Sequence, residues 1–391
     1  MSQTQTPGNP WGIPERIQLM NEAGETTSHT SFSAYADELT GEDLKDMYRT
    51  MALTRRFCDE MTSLQRQGQL ALWVPSRGQE AAQVASARAL AANDYIFPSY
   101  RDHGVLLERG ITPEEITPLF RGSGTLGWDA KKHNVHSYTL VLAAQVLHAT
   151  GYAMGLNLDA EIQAETGQAQ TGQGQGTDPE QDAEKPAVAV YFGDGSTTEG
   201  DVHESMVFAA SYNAPVLFFV QNNHWAISVP FSVQSRVPIS TRAAGYGFEG
   251  LRVDGNDVLA VYAATRYAMD KIRAGEGPVL IEAETYRLGP HTTADDPTKY
   301  RPEDHGATYE PLDPMVRLEA YLRSTGHADD AFFDEVTAYT KEQVKGVRSY
   351  VLSSEPDTFE TYLDRAYAAP HQQVEDDRAF YRAYNDGFEE D

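Results

Sequence analysis

The chain has 391 residues, room for one sizeable domain with extensions, and its formal charge of -27 makes a phosphate backbone repulsive and excludes nucleic acid as a natural partner. The single cysteine, Cys58, excludes an intramolecular disulfide and fits a reducing cytosol, while the lack of any run of 18 apolar residues and the polar, acidic N-terminus indicate neither a membrane span nor a transit peptide. Only eight of the 31 basic residues are lysine, and such an acid-rich, lysine-poor composition resembles proteins from salt-loving organisms, in which screening tames self-repulsion. A cytoplasmic location is expected.

In chain order, residues 1–35 are rich in Gln, Thr, Asn, Gly and Pro and read as a flexible arm. Asp43 to Gln67 places Leu44, Met47, Met51, Leu53, Phe57, Met61 and Leu64 near a 3.6-residue period, which predicts a long amphipathic helix. Gln79 to Ala91 continues in helical character. Residues 163–186 alternate Gly and Gln and then turn acidic, with too little apolar content to pack, so an exposed insertion is expected there. Ala187 to Phe192 and Pro215 to Val220 are short apolar runs of the kind a buried parallel strand requires, and Asp201 to Tyr212 between them is helical. Leu251–Val253 and Val279–Ile281 read as further strands bridged by an amphipathic helix over Val258–Ile272, another βαβ unit. From Asp313 the pattern is helical and acidic. The expected fold class is α/β, a parallel sheet flanked by helices with helical N- and C-terminal extensions. Its main domain spans 36–330 and a helical acidic extension spans 331–391.

The chemistry concentrates at Gly193-Asp194-Gly195, followed after 26 residues by Asn222-Asn223. The glycines let the backbone turn sharply and approach a ligand, and Asp194 presents a carboxylate where a strand ends, the edge at which open α/β sheets bind ligands. Two adjacent parallel strands would set Asp194 beside Asn223. A carboxylate, an amide oxygen and a backbone carbonyl are hard oxygen ligands of the kind magnesium prefers, with two diphosphate oxygens and a water to complete an octahedron. A calcium loop does not fit, because Glu199 stands where that loop needs glycine and no glutamate follows at the required spacing.

Five ordered blocks carry a resemblance. They are Leu64-Gln-Arg-Gln-Gly-Gln69 leading into Arg77-Gly-Gln-Glu-Ala81, then Phe97-Pro-Ser-Tyr-Arg-Asp-His-Gly104, Leu140-Val-Leu-Ala-Ala-Gln145, the Asp194/Asn223 pair, and Tyr286-Arg-Leu-Gly-Pro-His-Thr-Thr-Ala-Asp-Asp-Pro297. From about Phe32 onward the chain resembles the alpha subunit of the thiamine diphosphate-dependent first component of 2-oxo acid dehydrogenase complexes, the heterotetrameric pyruvate and branched-chain type. The resemblance implies the thiamine diphosphate-binding fold and a role for each matching residue. Tyr100 and Arg101 would donate to the diphosphate, a task suited to a planar guanidinium. Leu140 and Leu142 would hold the aminopyrimidine ring through their backbone. Asp194 and Asn223 would bind Mg2+ through their side chains and Trp225 through its carbonyl, with Gly195 and Ser196 beside the diphosphate. His291 would assist acyl transfer to the lipoyl arm, and an imidazole titrating near neutrality suits that proton donation. Gln221 departs from the mammalian branched-chain pattern, which has arginine, and matches bacterial pyruvate-type members. Thr292 stands where mitochondrial relatives carry a regulatory phosphoserine.

The implied reaction is oxidative decarboxylation of a 2-oxo acid, with acyl transfer to lipoyllysine of a dihydrolipoamide acyltransferase. The cofactor carries the hard chemistry and the protein positions it. The glutamate that activates the aminopyrimidine has no domain to sit on in a chain of this length, so the resemblance implies a beta subunit that supplies it in an α2β2 heterotetramer. An acetoin-cleaving enzyme, or a non-catalytic cofactor-binding subunit, would share these contacts, and the sequence leaves both open.

Overall fold

A computed structural model describes residues 12–29, 31–123, 127–167, 184–302, 308–355 and 357–388. Its strands, in chain order, are β1 (Arg16–Ile17), β2 (Tyr95–Phe97), β3 (Val188–Gly193), β4 (Val216–Asn222), β5 (Trp225–Ala226), β6 (Val229–Pro230), β7 (Glu249–Asp254) and β8 (Val279–Glu284). Six of them make one sheet in the order β1-β7-β8-β4-β3-β2, every pair parallel, while β5 and β6 form a small antiparallel ribbon. The parallel α/β architecture expected from the apolar runs is therefore present.

The sequences of β3 and β4 explain the layering. Both are nearly continuous apolar runs, the pattern of strands covered on both faces. Alternation along them sends Ala189, Tyr191, Leu217 and Phe219 to one core and Val188, Val190, Phe192, Phe218 and Val220 to another. The first core holds the helices Gly41–Arg66, Glu80–Arg88 and Val258–Arg273; the second holds Ala144–Thr166 and Gly200–Ser211. Gly41–Arg66 begins with a reciprocal capping box between Thr40 and Asp43, and it buries Leu44, Met47, Met51, Phe57, Met61 and Leu64 on one stripe.

The flexible arm expected over 1–35 is corrected where residues are described. Arg16–Ile17 adds an edge strand to β7, and Ile17, Leu19 and Met20 are buried. Asp257 fixes this segment. One carboxylate oxygen accepts the N–H groups of Leu19 and Met20, both at 2.6 Å, and the other accepts those of Leu259 and Ala260, capping the helix Val258–Arg273. Within the insertion expected over 163–186, the helix Ala144–Thr166 continues to Thr166, and residues 168–183 lie outside the described residues. Toward the C-terminus, Asp330–Ser353 lays Val336, Val344, Val347 and Val351 inward, most of them against the first core. No helix among the described residues is long and apolar enough to cross a membrane.

Candidate functional site

A cavity of about 250 Å³ opens where β2, β3, β4 and β8 end. Because Gly193 pairs with Gln221, the next residues of each strand leave the sheet at its C-terminal edge side by side, and these include Asp194 and Asn223. Tyr100 and Arg101 come from the loop after β2, Gly195 and Ser196 from the turn after β3, Trp225 from the turn after β4, and His291 from the loop after β8; with Leu142 all of them line the cavity. Leu140 does not border it and is 54% exposed. A larger cleft, about 960 Å³, lies at the other side of the sheet between β7 and the N-terminal segment, away from these residues.

Asp194 is buried, and burial pushes its carboxyl above the usual range, opposed by a hydrogen bond from Gln234, by backbone N–H groups of Asp194 and Asn223, and by the charge of Arg287. Gln234 Nε2 donates to Asp194 Oδ2 at 2.9 Å, whereas Gln234 Oε1 is buried with no partner among the described residues. Asn223 Oδ1 accepts the Trp225 N–H at 3.2 Å, and the Trp225 carbonyl accepts from Arg287. A buried carboxylate with no ion pair among the described residues, a stranded amide oxygen and two further oxygens form a hard donor set of the kind a small divalent ion takes. Among the described residues no group of three or more His, Cys, Asp or Glu could hold a metal, so an ion here would draw its remaining ligands from amides, carbonyls or a bound anion.

Two buried guanidinium groups stand near Asp194. Arg101 is buried and donates to the Pro75 carbonyl at 2.5 Å and, through Nη2, to His291 Nδ1 and to the His291 carbonyl, both at 2.9 Å. Arg287 is buried and donates to the carbonyls of Trp225 and Ile227 and to the Tyr300 hydroxyl, with Nε left unpartnered among the described residues. Among the described residues neither guanidinium forms an ion pair with a carboxylate. Desolvation and the charge of Arg101 lower Arg287 to about 10.

His291 lies between these cations. Burial first, then Arg101 and Arg287, push its imidazole down to about 3, opposed by Asp295. Arginine can only donate, so Nδ1 accepts and the ring proton resides on Nε2. This corrects the expectation of an imidazole that titrates near neutrality: in the free chain His291 is a neutral Nε2–H donor. Thr292 accepts the Ala294 N–H in a local turn, and Thr293 bridges to Trp73 through both its hydroxyl and its N–H.

The turn after β4 is strained in the way functional turns often are. His224 and Ile227 adopt left-handed backbone at φ 67° and 54°, an uncommon state that is most costly for a β-branched residue. Five polar residues at the site carried no assigned role in the sequence reading: Gln79, Asp102, Gln221, Gln234 and Arg287. Four lie within quoted blocks or beside the asparagine pair, so proximity to those motifs was the available signal. Gln234 sits in a short helix, Phe231–Gln234, and no motif marks it.

Fold and site together define a parallel-sheet α/β protein that places a buried carboxylate near two buried arginines at the C-terminal edge of the sheet. Residues 48–355 match the family model described as dehydrogenase E1 component, so the chain belongs to that family. It is 40% identical over 362 residues to the 3-methyl-2-oxobutanoate dehydrogenase subunit alpha of Mycobacterium tuberculosis, covering 92% of this chain and 90% of that protein. It is 36% identical to the pyruvate dehydrogenase E1 component subunit alpha of Bacillus cereus, covering 85% and 82%, and 34% identical to that of Staphylococcus aureus, covering 94% and 93%. These relatives make it an alpha subunit of the 2-oxo acid dehydrogenase E1 type.

Proposed function

We propose that the chain binds thiamine diphosphate with Mg2+ and, paired with a beta subunit, catalyses oxidative decarboxylation of a short aliphatic 2-oxo acid, with acyl transfer to lipoyllysine of a dihydrolipoamide acyltransferase. One observation carries this reading: the buried guanidinium groups of Arg101 and Arg287 and the buried Asp194 carboxylate near them form no ion pair among the described residues. Each charge is costly as it stands, and a metal–diphosphate pair would offset all three. Asp194, the Asn223 amide oxygen and the Trp225 carbonyl would hold the metal. Arg101 and Tyr100 would take the diphosphate, with Gly195 and Ser196 at its side. The backbone near Leu142 would border the ring; Leu140, outside the cavity, would contribute only through movement of its loop.

When bound, thiamine diphosphate supplies a nucleophilic carbon and an electron sink for loss of carbon dioxide. The chain's own residues orient and neutralise. Leu142, Trp225 and Ile227 form an apolar part of the wall and would shield the reacting carbon from water. His291 can donate from Nε2 to a developing negative charge, and a diphosphate that engages Arg101 would free its Nδ1 and raise its proton affinity. The beta subunit would contribute the activating glutamate in a cytoplasmic α2β2 assembly.

Co-expression with a beta subunit from the same organism in high salt, followed by assay of pyruvate and 3-methyl-2-oxobutanoate decarboxylation with an artificial electron acceptor, tests the proposal. Turnover that requires both thiamine diphosphate and Mg2+ is expected, with loss of at least about 100-fold in Asp194→Ala, given the usual cost of removing a metal ligand or its support. Tight cofactor binding with no turnover of any 2-oxo acid would instead favour an acetoin-cleaving or non-catalytic subunit.

A further inference from the structure

Along the wall of the cavity runs a chain of buried amides with a single direction. Asn223 Nδ2 donates to Gln79 Oε1 at 2.6 Å, Gln79 Nε2 donates to Gln221 Oε1 at 3.2 Å, and Gln221 Nε2 donates to Asp102 Oδ1 at 2.5 Å. All four side chains are buried. The other oxygen of Asp102 accepts the Ser99 N–H at 2.6 Å. Gln83 supports the same direction: its amide donates to Gln221 Oε1 at 2.9 Å and to the Arg101 carbonyl, while its oxygen accepts the Gly104 N–H.

The direction follows from which groups can only accept or only donate. An ionised carboxylate offers no proton, so Gln221 must turn its NH2 toward Asp102 and its oxygen toward Gln79. Gln79 must then present its NH2 to Gln221 and its oxygen to Asn223. Asn223 turns its NH2 toward Gln79 and its oxygen the other way, where it accepts the Trp225 N–H at 3.2 Å and keeps a second lone pair for the cavity. We propose that Asp102, acting through Gln221 and Gln79, is the positioning residue that holds the Asn223 amide with its oxygen toward the metal site. The inference rests on the magnesium–thiamine diphosphate reading given above. Asp102 lines the cavity but shares no hydrogen bond with Asp194 or Asn223 among the described residues, so its hold on the Asn223 amide runs through the relay.

An asparagine at 102 cannot serve, because its NH2 would have to face either the Ser99 N–H or the Gln221 NH2. Exchanging the two groups can: in Asp102→Asn/Gln221→Glu, the new amide gives its oxygen to Ser99 and its NH2 to the new carboxylate, which accepts from Gln79 and Gln83. Charge is conserved and the direction at Gln79 is restored.

The test uses the complex with its beta chain and reads the Mg2+ half-saturation for thiamine diphosphate binding, followed by quenching of tryptophan fluorescence, with Trp225 in the cavity wall. Asp102→Asn should raise half-saturation roughly 10- to 100-fold, as loss of an outer-shell partner does, and the exchanged pair should return it to within about threefold of wild type. In a Gln79→Met background, where the relay is cut, adding Asp102→Asn should change it no further. An unchanged half-saturation in Asp102→Asn, or an effect that persists in full with Gln79→Met, overturns the proposal. If Asp102→Asn does not fold, the exchanged pair and Gln79→Met decide alone: a wild-type-like pair and a weakened Gln79→Met support the relay, and any other combination rejects it. Failure of the wild-type complex to bind thiamine diphosphate would reject the cofactor reading itself, a different result from an indifferent Asp102→Asn.

Discussion

His291 is held between two guanidinium groups, and that placement fixes its protonation in the free chain. Its folded-state pKa of about 3 lies below the ordinary histidine value, so between those two values the unfolded chain binds a proton that the folded chain does not. Its contribution to stability is therefore present above about pH 6.5 and lost as pH falls toward 3. Buried His103, also pushed down to about 3 by desolvation, acts in the same direction, whereas Asp102 and Asp257, raised to about 6, act oppositely between pH 4 and 6. His291→Gln should consequently lose less stability than the parent between pH 7 and 5, measured by urea denaturation; equal losses would show that His291 is not held neutral. Nitrogen-15 NMR of labelled histidine should also find the Nε2–H tautomer of His291, with its titration moving upward in Arg101→Gln. At this scale Asp194 and Asn223 were legible, because glycines and strand ends leave few places for such side chains. The protonation of His291 was not, since it depends on Arg287, four residues away in sequence, and on Arg101, which comes from a distant loop. The amide relay escaped for the same reason: glutamine has no preferred environment until the fold supplies donors and acceptors.

Helices and strands carry the site only while their joints hold, and two joints are single residues. Asp257 accepts four backbone N–H groups, two from the N-terminal segment and two at a helix start. Asp257→Ala would leave Leu19 and Met20 donors buried and remove a cap, at a cost on the order of 3 kcal/mol. Hydrogen exchange should become rapid at Leu19 and Met20 before the rest of the sheet opens, and a cost under about 1 kcal/mol would contradict the assignment. Gly78 is the second joint, at φ +94°, where an added Cβ would meet the Tyr286 carbonyl oxygen at 2.1 Å. Its carbonyl accepts the Thr285 hydroxyl, and Leu288 N–H bonds to Arg77, so this turn ties the early loop to the one that bears His291. The strands β3 and β4 were readable because burial on both faces makes them continuously apolar. β1 and β2 were not, at two and three residues too short to show a period. The N-terminal segment was misjudged because its polar composition hides the few side chains it buries.

Across the whole molecule, exposed apolar side chains gather on one pair of neighbouring helices. Tyr152, Leu158 and Ile162 on the helix Ala144–Thr166, and Val207 and Phe208 on the neighbouring Gly200–Ser211, are exposed, as are Leu140 and Val141 in the preceding loop. Apolar side chains gathered on neighbouring elements mark an interaction face, and its nearness to Leu142 places that face at the cavity rim. The chain alone is expected to self-associate, and co-expression with its beta chain should give a single heterotetrameric species by analytical ultracentrifugation. A net charge of -27 adds a second property of the whole, self-repulsion that salt screens, so thermal unfolding should move upward from 0.1 M to 1 M NaCl as the screening length falls from about 10 to 3 Å. The most direct test of the central claim is calorimetric titration of thiamine diphosphate into the assembled complex with and without Mg2+, for the parent and for Asp194→Ala. Binding that requires Mg2+ in the parent and is lost in Asp194→Ala is the predicted result. Binding of equal strength without the ion, or undiminished in the variant, would contradict a metal–diphosphate site at Asp194 and Asn223.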